Sequence, residues 1–309
     1  MEKWNVDIAD VERRITDNEL TAGDIDDLLI RISWTKHPKV IKKLINYKAS
    51  PGVVTKPKTL AELKKEWKTE KLENGTLRIL QYKGADTNIT IPAAIGQGIV
   101  AEIGDFAFSP LQPRIVKDIR EARKKITSIS MPDSIVRIGE SAFSGCVGLK
   151  TIILPNGINV IGKSAFAHCE NLETIILPEN INYLPESLFQ ACKKMTKINI
   201  PSSVTIIERR VFDECESLEE VVLPKGIKRI RMGAFYECVS LKGVVIPEGV
   251  EKIGVFAFDG CKKLKKLRIP LSVNEIDSYS FNKGTTLILN EESPLIKFCE
   301  AYDISFIVE

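Results

Sequence analysis

Histidine is nearly absent from this chain of 309 residues, occurring only as His37 and His168. That scarcity excludes most side-chain catalysis at once. His37 precedes a proline and His168 sits beside Cys169, so neither a nucleophile–base–orienter triad nor a histidine metal site can be assembled from them. Paired Cys-x-x-Cys spacings are also missing, as are a phosphate-binding Gly-rich loop with its lysine and a G-x-G-x-x-G after a strand. No catalytic residue, cofactor or metal is therefore expected. A formal net charge of +3 is too small to argue for nucleic acid. No run of 18 apolar residues is present, so a membrane-spanning helix is not expected. The opening residues, Met-Glu-Lys-Trp-Asn-Val-Asp, lack a basic segment followed by an apolar one, and the expected location is the cytoplasm.

What is abundant is periodicity. Cys146, Cys169, Cys192, Cys215, Cys238 and Cys261 follow one another at intervals of 23 residues. Each belongs to a unit opened by a proline, from Pro132 and Pro155 through to Pro270. Three residues on lies a β-branched column (Ile135 to Val273), and six on a second apolar column (Ile138 to Ile276). Eleven on is an unbroken phenylalanine column: Phe143, Phe166, Phe189, Phe212, Phe235, Phe258 and Phe281. A fixed period of this length marks a solenoid, in which each unit buries its apolar face only against its neighbours.

Each column has a physical reason. In Leu172-x-x-Ile175-x-Leu177 the last two apolar residues alternate and point inward from one short strand, which pairs in parallel with the strand of the next coil. Proline ends that strand because it has no donor for the ladder. Gly139, Gly162 and Gly254 are read as tight bends. Phenylalanine fills the coil centre, stacking on its neighbours above and below. The cysteines read as small apolar core filler; a disulfide ladder and a metal site are the sharper alternatives.

The unit Leu172 to Cys192 follows the pattern L-x-x-I-x-I-P-x-x-V-x-x-I-G-x-x-A-F-x-x-C, with Leu188 for the alanine and Pro185 for the glycine. On these residues the chain resembles the BspA-type leucine-rich repeat. Thr76 to Phe108 looks like that family's irregular first coil, and Ser293 to Phe306 like its closing helix and last strand. The resemblance implies a right-handed leucine-rich repeat solenoid, an α/β-type repeat fold with one short parallel strand per coil, that binds proteins or surfaces. It implies no catalytic residues. Members with secretion signals sit on cell surfaces, so the alternative to a cytoplasmic protein-binding scaffold is a secreted or surface adhesin of the BspA type.

The organisation read from the sequence has four parts. Residues 1–49 form a helical N-terminal domain or cap, with apolar residues at helical spacing (Val11 and Ile15; Ile25, Leu28, Leu29 and Ile32; Val40, Ile41, Leu44 and Ile45). Residues 50–69 are a linker and a short helix from Leu60, leading to first hairpin strands near Leu77 and Ile89. Residues 70–290 are the solenoid, and 291–309 a C-terminal cap. Within the solenoid the phenylalanine spacing stretches to 35 between Phe108 and Phe143, which places an insertion at 109–125. Its basic segment (Arg114, Lys117, Arg120, Arg123, Lys124 and Lys125) is expected to be a protruding helix. It is open to reading as a solvated decoration, a protein-binding protrusion or a nucleic-acid contact.

A partner would meet the residues that do not repeat. One outward strand position holds Ile153, Ile176, Asn199, Val222, Val245 and Arg268; the other holds Thr151, Thr174, Lys197, Glu220, Gly243 and Lys266. This aligned row is either an interaction surface or the ordinary preference of exposed strands for β-branched residues. An acidic patch (Glu214, Glu216, Glu219 and Glu220) and a basic one (Lys262, Lys263, Lys265, Lys266 and Arg268) would orient a complementary partner, or merely keep the surface soluble. The expected partner is a protein bound by a monomeric solenoid.

Overall fold

The computed structural model describes residues 7–17, 19, 40, 43 and 58–309. Two compact units divide at Lys58 and Thr59. In the first, a helix spans Ile8–Thr16, capped by Asp7, whose carboxylate accepts from the N–H groups of Ala9 and Asp10. Val11 and Val40 are buried, and Lys43 pairs with Glu12 at 2.8 Å. The helices expected over Ile25–Ile32 and Val40–Ile45 lie outside the described residues, Val40 and Lys43 apart.

The second unit opens with a helix over Leu60–Glu66, fixed by a capping box in which Thr59 and Glu62 satisfy each other's backbone N–H groups. A hairpin then pairs Trp67–Lys71 with Leu77–Tyr82 in antiparallel fashion. Ile89 is not its partner, as the sequence suggested. It lies in Asn88–Thr90 and pairs in parallel with Ile129, so this segment is already the first rung of the repeated sheet.

From there each coil repeats the same path. A three-residue strand places one buried residue between two outward ones: Ile152 between Thr151 and Ile153, Ile175 between Thr174 and Ile176, Val221 between Glu220 and Val222. Proline follows, and its carbonyl accepts from the N–H three residues on, as in Ile158 to Pro155 at 3.1 Å and Ile227 to Pro224 at 3.1 Å. The β-branched column is thus the closing residue of a turn that proline opens. A second strand of two residues returns on the other side, and these form two parallel ladders: Val160–Ile161 beside Arg137–Ile138, and separately Tyr183–Leu184, Ile206–Ile207, Arg229–Ile230 and Lys252–Ile253 in register. The sequence reading had one strand per coil; the structure adds this shorter one.

Gly139, Gly162 and Gly254 follow that second strand, but they are not left-handed bends. A Cβ at Gly162 would lie 2.5 Å from the backbone nitrogen of Glu140, and one at Gly254 2.7 Å from that of Met232. They let successive coils approach closely. The left-handed positions lie instead on either side of each phenylalanine, two residues before it (Ser141, Ser164, Ser187, Arg210, Gly233 and Phe256) and two after (Gly145, His168, Ala191, Glu214, Glu237 and Gly260).

Between these two kinks the phenylalanine enters the core. The rings from Phe108 to Phe281 stack with centroids 5.0 to 6.1 Å apart and planes within 21° of parallel. Tyr82 and Trp67 continue the column at 5.7 and 4.8 Å, so the opening hairpin supplies the cap of the stack. At the far end a helix over Ile296–Ala301 buries Cys299, and Phe306–Val308 adds a last parallel strand to Thr286–Leu289.

The insertion does not simply protrude. Its helix, Lys117–Lys124, is tied down by Arg123, which is fully buried. The Arg123 guanidinium donates to the carbonyl of Tyr82 at 2.7 and 3.2 Å, to that of Ser109 at 2.6 Å and to the Gln112 side chain at 3.1 Å. Burial pulls its pKa down to about 10. A basic residue counted as solvated is an internal fastener between the insertion and the first coil. Replacing Arg123 by Met should lower stability by about 2–4 kcal/mol in urea unfolding, because buried carbonyls lose their donor. Exposed Lys117→Met should change it by less than about 0.5 kcal/mol.

Candidate functional site

The outward rows of the three-residue strands are built by register. Ile153 stands opposite Ile176, Asn199 opposite Val222, and Val222 opposite Val245. The row extends further than the sequence reading took it: Ile288 stands opposite Arg268, and Ile307 opposite Ile288. Strand pairing runs in three blocks, Asn88 to Ile176, Lys197 to Val245 and Lys266 to Val308. The apolar residues therefore form separate pairs rather than one stripe. Ile153 and Ile176 are half-buried, while Val222 and Val245 are 75% and 73% exposed. Buried Val221 and Val244, between the two rows, hold this last pair rigidly on the core.

The neighbouring row shapes the ground beside it. Glu220 lies between Lys197 and Gly243 in register, and Lys266 stands opposite Thr286. A Cβ on Gly243 would meet nothing within 4 Å, so the sheet has an open notch next to Val245. Thr151 and Thr174 face each other beside the isoleucine pair. Arg268 is engaged by an ion pair with Glu309. The two charged patches are answered in part across adjacent coils: Glu216 by Lys193 at 3.0 Å, Glu219 by Lys242 at 3.0 Å, and Lys262 by Glu237 at 3.9 Å. Such exposed pairs contribute little to stability, and they blunt the charge reversal that the sequence shows.

The cysteine column is buried throughout, and all seven thiols are free. The sequence reading missed that each thiol of the column is also a hydrogen-bond donor. Cys169 Sγ donates to the Phe143 carbonyl at 3.3 Å, Cys215 to Phe189 at 3.2 Å and Cys238 to Phe212 at 3.0 Å. Burial pushes the thiols well up, Cys146 and Cys261 to about 12, so they are protonated and unreactive as nucleophiles. His168 is exposed while Cys169 points inward, and no thiol–imidazole pair forms. Among the described residues no group of three or more His, Cys, Asp or Glu has the geometry to hold a metal ion.

One carboxylate departs from the solvated norm. Asp213 is 3% exposed; its Oδ2 accepts from Gln190 Nε2 at 2.9 Å, and its Oδ1 has no partner. Burial, with Glu214 nearby, raises its pKa to about 6. Asp213 directly follows Phe212, in a column that also holds Ser144, Ala167, Gln190, Tyr236, Asp259 and Asn282, so position alone did not single it out in the sequence.

Comparisons with known proteins agree on the fold. A family model described as BspA type leucine rich repeat region matches residues 121–242 and 205–291 in six copies, more than half of the chain. A leucine-rich repeat protein of T. pallidum is 28% identical over 64% of this chain and 88% of its own, with a TM-score of 0.57. One from Eubacterium ventriosum is 26% identical over 62% of this chain and 49% of its own, with a TM-score of 0.51. No curated protein matches the chain.

Because the folded pKa of Asp213 lies above its unfolded value, its stabilising contribution is complete below about pH 4 and is lost as pH rises through about 6. Asp213→Asn should therefore stabilise the protein at pH 7.5 by about 1–3 kcal/mol in urea unfolding, a gain that shrinks toward zero at pH 4.

Proposed function

This chain belongs to the BspA-type leucine-rich repeat family, and from that premise we propose that it is a non-enzymatic scaffold whose strand-lined face binds a protein partner. The observation that carries the reading is the exposure of Val222 and Val245, aligned side by side on rigid strands. Water-exposed apolar side chains contribute to association only when a partner covers them, and a rigid strand pays little ordering entropy on binding. Ile153, Ile176 and the flanking Thr174, Lys197, Glu220 and Lys266 complete the contact surface, with Asn199 and Arg268 supplying polar ends.

We place this interaction in the cytoplasm and assign it to a single copy of the chain. Seven buried, unpaired cysteines suit a reducing compartment. Detection of the native protein outside the cell by fractionation would favour the surface adhesin instead.

Replacing Ile176, Val222 and Val245 together with Asp should abolish capture of the partner in a pull-down from the native organism, while the circular dichroism spectrum stays unchanged. Capture that persists with the triple variant contradicts the assignment of this face.

A further inference from the structure

On the turn side of the stack, away from the strand rows, the two columns nearest Phe change character partway along the solenoid. Two residues before the core ring, successive coils carry Ser141, Ser164 and Ser187, then Arg210, Gly233, Phe256 and Tyr279. One residue after it stand Ser144, Ala167 and Gln190, then Asp213, Tyr236, Asp259 and Asn282. The early coils place small, mostly buried side chains here; the later ones place aromatics beside carboxylates.

The aromatics form a contiguous group. Tyr236 and Phe256 pack edge to face with centroids 6.2 Å apart, and Phe256 and Tyr279 lie 5.8 Å apart. Phe256 is 40% exposed and Tyr279 65% exposed, although the core would readily take such rings. Phe256 adopts the left-handed conformation at φ +58°, which is uncommon for a bulky residue. Four of the other coils place serine or glycine there and one places Arg210, and the ring of Phe256 meets its neighbouring aromatics at the surface instead of entering the core.

The adjoining coil supplies the charge. Asp213 is buried with an unpartnered Oδ1, and the charges of Glu214 and Glu237 act on it. Backbone hydrogen bonding from Glu214 N–H to the Tyr236 carbonyl at 2.8 Å fixes the carboxylate coil against the aromatic one. Arg210 opposes them with its Nε 4.0 Å from Asp213 Oδ2, and Lys262 lies 3.9 Å from Glu237, which leaves Glu214 as the exposed carboxylate of the three. Gly233 stands between: a Cβ there would sit 3.4 Å from Arg210 Cγ and 3.7 Å from Tyr236 Cβ, so its missing side chain opens a depression bounded by both.

We propose that this turn face is a second recognition site, taking a short, extended, arginine- or lysine-bearing segment of a polypeptide partner. The cationic groups lie over the faces of Phe256 and Tyr279, within the roughly 6 Å at which a ring quadrupole attracts a cation. The next cation along the segment pairs with the exposed carboxylate of Glu214, with Glu237 and buried Asp213 adding to the field. Arginine suits the site better than lysine, because its planar group stacks on a ring while its edge still donates hydrogen bonds.

The test is fluorescence anisotropy of the full chain with a labelled, capped peptide of alternating glycine and arginine, at low ionic strength. Its counterpart carries citrulline, which has the shape of arginine without the charge. The arginine peptide should bind at least tenfold more tightly than the citrulline one. Phe256→Gly, chosen because glycine is at ease in the left-handed conformation, and Glu214→Gln, which removes the exposed carboxylate, should each weaken binding about fivefold or more. The strand-face triple variant should bind the peptide as the parent does, which separates this site from the one proposed above. Equal affinity for the two peptides, or undiminished binding by both single variants, overturns the proposal. So does a face that ignores the peptides and instead binds a neutral oligosaccharide in a way that Phe256→Gly abolishes.

Discussion

Everything in the solenoid depends on the peptide unit of one phenylalanine per coil. Its N–H donates to a carbonyl of the following coil, as in Phe143 to Ala165 at 2.9 Å and Phe212 to Ala234 at 2.8 Å. Its carbonyl takes two donors: the cysteine N–H three residues on, at 3.1 Å for Phe212 and Cys215, and the cysteine thiol of the following coil, at 3.0 Å for Phe212 and Cys238. The ring, with no polar atom, fills the centre. A buried backbone far from either strand ladder would otherwise leave unpaired groups, each costing about 1–3 kcal/mol. The two left-handed residues that bracket the phenylalanine turn the chain inward and out again so that these bonds can form.

That arrangement explains why residues with no packing role vary freely. Once ring, thiol and prolyl turn are set, the outward strand positions carry no packing demand, and the turn columns carry only that of a left-handed backbone at the kinks. The strand face can hold Ile in one coil and Asn or Arg in others; the turn face can pass from serine to aromatic. Several of the solenoid's exposed ion pairs link one coil to its neighbour, Lys163 to Glu140 and Lys242 to Glu219 among them, as stacking of repeats favours.

The columns of the fold were legible in the sequence because each repeats and each is apolar. Isoleucine, phenylalanine and cysteine occupy the core positions that periodicity assigns, proline opens each turn, and Ile175 and Leu177 point inward as alternation requires. What escaped was conformation without a residue signature. Ser, Arg, Glu and Phe occupy left-handed positions where glycine would be the local signal, so the kinks were invisible and the glycines were misassigned to bends. The burial of Arg123 escapes the expectation of a protruding basic helix because its partners are mostly backbone carbonyls, which no side-chain pattern announces. The thiol bonds escaped for the same reason. Of the strand face, the sequence showed which residues align but not that pairing falls into three blocks or that Val222 and Val245 stand clear of the rest.

The most direct test of the phenylalanine column as the structural spine is urea unfolding of Phe212→Ala beside Val222→Ala. Both remove apolar atoms from the same coil, one fully buried in the stack and the other exposed. The stack account predicts a loss of about 3–5 kcal/mol for Phe212→Ala and less than about 0.5 kcal/mol for Val222→Ala. Comparable losses for the two, or a loss under about 1 kcal/mol for Phe212→Ala, would contradict it.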